Sequence, residues 1–511
     1  MRKTPLTCGL AAGVLALAGC GMSGADSTST ATETDASIVI DEPFGPASGW
    51  DLATDDAYVL TKAGCLETLV RYQLDGSLQP MLATSWQQTS ATQWQFTLRD
   101  GVKFQDGTAL DAQVVADDLA RLLKAKTPAK AFSPKVVTGV SAVDAKTVRV
   151  TTTSADVLMP YRLANPNTGI LAASAFSGDT VKPEQACTGP FTLTTEIPQQ
   201  AIDLTRNDTY WGGKPKIAKA EIRFISDGAA RATQVRSGEA QIAKRLPVAS
   251  VQALNGNTDV KVTTTQLTRT TELMLNNKKA PFDNVKVRQA IQAAIDVKAI
   301  NEGVYGGGNR PAIGPFAGTE PWAPKDATPV PVDTAKATSL LSQAGVNPAS
   351  IKVTLLAYTE GPQFADLAAV IQQQLKAIGI TATIKTGQYA SMEAGLLSGD
   401  FDMALLSRNH LGDVADPAGF LTADYSCDGA YNISHFCDPS VDALIAKASS
   451  AADATARYAL YAQIATQLQT RAVDVFLVHE AQSDAVASTV GDFTIHPYYT
   501  LTADLSLTSK G

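Results

Sequence analysis

The sequence predicts an α/β protein of more than one domain, with a largely parallel sheet in its second half. Length is the first reason: 511 residues exceed what one core holds. The second is the order of patterns between Ile351 and Leu406. Ile351–Ala357 reads as an apolar strand, and Phe364–Ile378 as a helix with Phe364, Leu367, Ile371, Leu375 and Ile378 on one face. ITATIK and FDMALL follow as two further strands, and strand–helix–strand units imply parallel pairing with right-handed crossovers. At 45% hydrophobic and 18% charged, the composition is that of an ordinary globular chain. A net charge of −8, with no basic block beyond the N-terminus, argues against a nucleic-acid partner.

The N-terminus reads as a targeting segment over residues 1–20. Arg2 and Lys3 precede the apolar run Leu6–Leu17, which is too short to span a bilayer. Leu17-Ala18-Gly19-Cys20 resembles the lipobox of bacterial lipoproteins, which implies that Cys20 carries a diacylglycerol and becomes the first mature residue. Anchoring by acyl chains would then be the protein's only hold on a membrane. Residues 21–36 are small and polar and read as a flexible tether.

The folded part opens with a strand at Ser37–Ile40. LETLVRY, TSWQQ and QWQFTLR are strand-like runs broken by turns, and GVKFQDG reads as a hairpin. AQVVADDLARLLK has helical spacing, with Asp111 as its N-cap. Thr147–Thr152 is a β-branched strand, and strands recur in CTGPFTLTTE, QAIDLTRN and AEIRFISD. Ala229–Ala240 is a short helix, Glu272–Asn276 an apolar strand, and Val285–Val304 the longest helix. A Gly/Pro-rich crossing, Gly306–Pro331, separates these from Thr334–Gln343, a helix that Gly345 can end. Helices Val441–Ser449 and Ala454–Thr470 and the strand VDVFLVH complete the pattern.

An exported protein folds under oxidising conditions, so its cysteines are read as disulfides. Setting aside Cys8 and Cys20 leaves Cys65, Cys187, Cys427 and Cys437. Cys427 and Cys437 bracket a short loop and are the easiest pair, contributing roughly 3 kcal/mol in the chain-entropy model. Cys65–Cys187 then follows, although three connectivities are open on sequence. No Cys-x-x-Cys occurs and the four His are scattered, so neither a metal site nor a cofactor is expected.

The richest polar stretch is Ser407–Pro417, SRNHLGDVADP, directly after FDMALL. Arg408, Asn409, His410, Asp413 and Asp416 crowd together where α/β proteins meet their ligands, beyond the carboxyl end of a buried strand.

LETLVRYQLDGSLQPMLATSWQQTSATQWQFTLRDGVKFQDGTAL resembles the signature region of the extracellular solute-binding proteins of family 5, the receptors of peptide, nickel and related ABC importers. TGPFTL, RNDTYWGGKP, LNNKKAPFDNVKVRQAIQAAID, DTAKATSLLSQAG and IQQQLKAIGI continue the likeness in order. The resemblance implies a two-lobed periplasmic-binding-protein-like fold with an extra domain inserted in the first lobe. Lobe one would comprise 37–64, 184–271 and 481–511, the insert 65–183 and lobe two 272–480. Cys65 and Cys187 would stand where the insert leaves and rejoins its host.

It further implies a non-enzymatic monomer that closes on a peptide and hands it to a membrane permease driven by separate ATPase subunits. Consistent with that division of labour, the only Gly-Lys pair, Gly213-Lys214, runs into Pro215 rather than a phosphate-binding loop. In peptide-binding relatives the Asp of GDxxDP pairs with the ligand's α-amino group, which places Asp413 in that role. Two departures stand against a plain dipeptide: Tyr358-Thr359-Glu360 replaces a carboxylate-binding Arg, and Arg408-Asn409-His410 replaces a Gly-Trp run. Arg408 is expected either to supply the missing cation or to pair with Asp413 or Asp416. His410 could reach a chelated metal, as in nickel binders, and Arg162 an anionic ligand group. Tyr389, Trp322 and Tyr431 are candidate aromatic walls. A metal chelate or another amino-acid-like solute is the alternative ligand. A secreted hydrolase is the remote alternative: Lys385-Thr386-Gly387 matches one element of penicillin-recognising enzymes, but no Ser-x-x-Lys occurs.

Overall fold

The computed structural model describes residues 36–508 except Asp179 and Pro362. The expected signal peptide, Cys20 and all but the last residue of the tether lie outside the described residues.

One sheet of eleven strands organises the chain. Its first half contains Phe191–Ile197, Ala201–Arg206, Lys219–Phe224, Ser37–Glu42 and Ile242–Ala243, and its second Met403–Asn409, Lys352–Tyr358 and Thr381–Gly387. Two long strands, Asp474–Ala487 and Val260–Leu275, lie between the halves and pair antiparallel with each other. Val260–Gln266 pairs with Ala481–Ala487 and Thr270–Met274 with Asp474–His479, and the ladder slips between Gln266 and Thr270.

The sheet is therefore mixed. Each half contains parallel pairs, Ser37–Glu42 beside Lys219–Phe224 and Lys352–Tyr358 beside Thr381–Gly387 and Met403–Asn409, but in the first half Phe191–Ile197, Ala201–Arg206 and Lys219–Phe224 pair antiparallel. The long strands were legible only at their apolar ends. Their other ends, VKVTTTQLTRTT and EAQSDAVA, are polar; the first is rich in β-branched residues, which suit a half-exposed pleated surface, and the second pairs along it.

Val285–Val304 is not one helix. It breaks into Val285–Ala294 and Val297–Tyr305, because the Asp296 carboxylate caps a new start by accepting the Ala299 N–H at 2.9 Å. The longest helix among the described residues is instead Ala454–Thr470, at 17 residues. GVKFQDG forms a tight turn with a single bridge, Lys103 to Ala109.

A separate four-stranded antiparallel sheet, in the order Ala83–Ser90, Gln93–Leu98, Thr147–Thr152, Val137–Ala142, packs against Ala112–Leu122. Asp111 caps that helix through the N–H groups of Gln113 and Val114. Val115, Leu119, Phe96, Val148 and Val150 are fully buried between them. This unit joins the main sheet at two strands of chain tied together chemically. Cys65 is bonded to Cys187, 122 residues away, and Cys427 to Cys437. Beside the first bond, the buried Glu67 carboxylate accepts hydrogen bonds from Thr188 Oγ1 (2.8 Å), Tyr210 OH (2.7 Å) and Trp211 Nε1 (2.8 Å). The Tyr-Trp of RNDTYWGGKP thus serves to satisfy a buried acid. No helix among the described residues is long and apolar enough to cross a membrane.

A cross-link closing so long a loop stabilises mainly by restricting the unfolded chain. Replacing Cys65 and Cys187 together by Ser is expected to cost about 2–5 kcal/mol. Calorimetry of the double variant should show a lowered Tm, and an unchanged Tm would remove the bond from the stability of the junction.

Candidate functional site

Ser407–Pro417 leaves the sheet at the end of Met403–Asn409. That strand pairs with Val260–Leu275 along its whole length, but with Lys352–Tyr358 only at Met403 and Ala404. Its carboxyl end is thus free of a neighbour on one side. Asn409 turns the chain: its Oδ1 accepts hydrogen bonds from Thr268 Oγ1 (3.0 Å) and from the Leu411 N–H (3.2 Å). Asp416 closes the turn from inside the protein. It accepts the Ala418 N–H at 3.0 Å, Arg457 Nε at 3.0 Å and the Tyr461 hydroxyl, and is fully buried.

Between these two fixed points, three backbone carbonyls face partners from distant segments. Tyr498 OH donates to Leu411 O (3.4 Å), Tyr58 OH to Gly412 O (3.1 Å), and Asn165 Nδ2 reaches the carbonyls of both Gly412 (3.3 Å) and Asp413 (3.4 Å). The backbone of Asp413 is held while its carboxylate stays 39% exposed. That carboxylate meets Lys130 Nζ at 3.5 Å.

Arg408 does not pair with Asp413 or Asp416. Its guanidinium forks onto Asp424, at 2.7 Å from Nε and 2.8 Å from Nη2, a bidentate geometry that fixes its plane. Asp424 lies on Ala418–Tyr425, the helix that follows the turn, and so returns to the strand end. Arg408 lies over the Tyr431 ring at 4.3 Å, and Lys130 Nζ lies 5.3 Å from the same ring. The hydroxyls of Tyr431 and Tyr389 bond each other, both within reach of Glu393, and Tyr389 meets Tyr358 edge-on at 5.4 Å. Tyr389 and Tyr431 are half-buried, and Lys130 links them to Asp413 by touching both the Tyr431 ring and the Asp413 carboxylate.

The other expected site residues are elsewhere. His410 is buried, with Nε2 2.5 Å from Glu320 and its ring against Phe316 (5.1 Å), so it is a core residue and not a reach toward a metal. Trp322 is 1% exposed and packs against Phe316, His410 and Tyr458, so it is no ligand wall. Arg162 is committed to Asp156 at 2.7 Å, and its Nη1 donates to the carbonyl of Ala131 (3.2 Å), bracing the segment that carries Lys130. Among the described residues no group of three or more His, Cys, Asp or Glu could hold a metal ion.

Comparison with known proteins places this arrangement. The sequence profile of the bacterial extracellular solute-binding proteins, family 5 (middle region) matches residues 77–432, more than half of the chain. The chain belongs to the bacterial extracellular solute-binding proteins of family 5. It is 29% identical over 463 residues to a probable D,D-dipeptide-binding periplasmic protein of Escherichia coli, covering 87% of this chain and 88% of that one. It is 28% identical over 435 residues to the nickel-binding periplasmic protein of the same organism, covering 80% and 82%. A solved nickel ABC transporter structure from Bacillus halodurans superposes with a TM-score of 0.81 at 27% identity, over 93% of this chain and all of that one. Its fold is the two-lobed one of that group.

In this family 5 protein, sequence reasoning missed Lys130, Asp424 and the acids beneath Arg408. An Asp inside the otherwise apolar helix Ala418–Tyr425 was the one available signal for Asp424. Glu272 and Asp474, on the two long strands, are fully buried and share one phenol: Tyr425 OH is 3.4 Å from Glu272 Oε2 and 3.1 Å from Asp474 Oδ2. A phenol has one proton, so the second contact requires a proton on a carboxyl group. Burial first, then the charges of Asp474 and Asp424, raise Glu272 well above the usual carboxylate range, and burial pushes Asp474 up to about 7. Acids raised on folding bind protons more tightly in the native state, so the stability they contribute is present below the unfolded carboxylate range and is lost as pH rises through about 7. Glu272→Gln is expected to leave the Tm at pH 5 nearly unchanged and to raise it at pH 8 by about 2 °C or more. Scanning calorimetry at both pH values checks this, and an equal shift at both would show that no proton is held there.

Proposed function

We propose that this chain is the substrate-binding lipoprotein of an ABC importer, capturing peptides between two lobes and delivering them to a membrane permease. The observation that carries the reading is the exposed Asp413 carboxylate on a backbone held from three directions, beside an aromatic face. A free ammonium group is its natural partner, and a charge-assisted hydrogen bond in a closed cleft orients as well as binds. Relatives named for peptide binding, including di/tripeptide-binding proteins of Pseudomonas aeruginosa at 28% identity, support a peptide ligand.

Hinging would occur where the two long strands slip register, between Gln266 and Thr270. The proposed division is 37–64, 184–271 and 481–511 in lobe one, 65–183 as its insert, and 272–480 in lobe two. A ligand touching both lobes favours closure by its differential affinity for the closed state, which the importer then reads. Tyr389 and Tyr431 would line the ligand's path. Arg408 would act by holding Tyr431 and not by direct charge, because its charge is already matched by Asp424. Attachment through lipid at Cys20, on the extracytoplasmic face of the cell membrane and as a monomer, completes the proposal.

Replacing Asp413 by Asn keeps the shape and removes the charge. The expected result is at least about tenfold weaker binding of peptides with a free amino terminus, with the Tm of the unliganded protein unchanged. Calorimetric titration with a peptide recovered from the purified protein makes the comparison, and unchanged affinity would remove Asp413 from the site.

A further inference from the structure

We propose that Lys130 makes this site selective for peptides whose first residue carries a carboxylate as well as its free ammonium group. The inference rests on the reading that Asp413 takes the ligand's ammonium.

The pairing of charges around Tyr431 leads to it. Two cations, Lys130 and Arg408, lie near that ring, at 5.3 and 4.3 Å, and each has one carboxylate against it. The two pairs differ in kind. Arg408–Asp424 is bidentate and withdrawn from solvent, with side chains 19% and 1% exposed, so neither member is free to exchange partners. Lys130–Asp413 is a single 3.5 Å contact between side chains 67% and 39% exposed. An exposed pair of that kind is weak and gives way readily. Glu393, the remaining acid beside the ring, is turned to the Tyr389 and Tyr431 hydroxyls.

An ammonium arriving at Asp413 therefore takes the partner of Lys130 and sets two positive groups side by side. Like charges at that spacing repel, and the other acids near the ring are already engaged, Asp424 by the Arg408 fork and Glu393 by the two tyrosine hydroxyls. A ligand that brings its own carboxylate to the same end gives the lysine a partner again: its ammonium rests on Asp413 and its carboxylate on Lys130. The spacing limits where that carboxylate can be. Anchors 3.5 Å apart match two groups on one residue, whereas the two termini of an extended peptide are separated by about 3.3–3.6 Å for every residue. The carboxyl terminus is thus too far away, and an acidic first side chain is the group that fits. Lys130 itself is held in place from below, since Arg162 grips the carbonyl of the adjoining Ala131.

The test compares two probes that differ by one charge, Glu-Ala-Ala and Gln-Ala-Ala, titrated calorimetrically into the purified protein. Glu-Ala-Ala is expected to bind at least about fivefold tighter, an advantage that shrinks in high salt. Lys130→Gln should erase the preference while leaving Gln-Ala-Ala bound as well as before or better, and its Tm should match that of the parent. Asp413→Asn should weaken both probes. Equal affinities in the parent protein, a preference that survives Lys130→Gln, or no binding of either probe at about 1 mM would each overturn the inference. If Asp413→Asn changes neither probe while the preference still follows Lys130, the ammonium reading is what fails.

Discussion

The structure depends on one pair of strands. Val260–Leu275 and Asp474–Ala487 hold the two halves of the sheet together, and the ladder between them slips near its middle. A continuous ladder would be stiff. The slip leaves backbone groups to side chains instead, and these gather there: Glu480 accepts from Thr271 and Ser407, Arg269 reaches Ser407, and Gln266 donates back to the Glu480 carbonyl. His479, next in line, is held neutral. Its Nε2 accepts the Ile313 N–H at 3.1 Å while Nδ1 faces Thr270, and burial pushes its pKa down to about 3. A histidine lowered on folding supports stability above about 6.5 and loses that support as pH falls, the opposite sense to Glu272 and Asp474. The two trends therefore oppose each other across the acidic range.

The candidate site is built on the end of the neighbouring strand and inherits its rigidity. Below it, charge is committed: Arg408 to Asp424, Arg457 to Asp416, Arg162 to Asp156. Above it, the side chains of Asp413 and Lys130 meet in a single exposed contact. Buried pairs of this sort cost desolvation and are poor evidence of net stabilisation, but they orient what they touch. Here they orient the turn, the Tyr431 ring and the segment carrying Lys130. In the proposed site, specificity would then fall to the two exposed charges.

Much of this was legible in the sequence. The strand–helix–strand order from Ile351 to Leu406, the Asp111 cap and the polar turn after FDMALL follow from periodicity and capping chemistry that act locally. What was not legible depends on residues brought together from afar. Arg408 was matched to acids near it in sequence, but a helix returned Asp424, 16 positions on, to a better angle. His410 read as part of a polar loop until Glu320 supplied a buried partner, and Trp322 packed against the His410 ring. Lys130 has no local signature at all; only its contact with Asp413, far away in sequence, brings it to the turn. Polar strands were lost for a related reason, since TTTQLTRTT carries its strand preference in β-branching and not in hydrophobicity.

The central claim is that Asp413 receives the ammonium group of the bound solute. A crystal structure of the protein with the solute it retains through purification tests this most directly. The expected result is a ligand nitrogen within about 3 Å of an Asp413 carboxylate oxygen, with Tyr431 alongside. A bound solute whose polar groups all contact other residues, with Asp413 still facing Lys130, would contradict it.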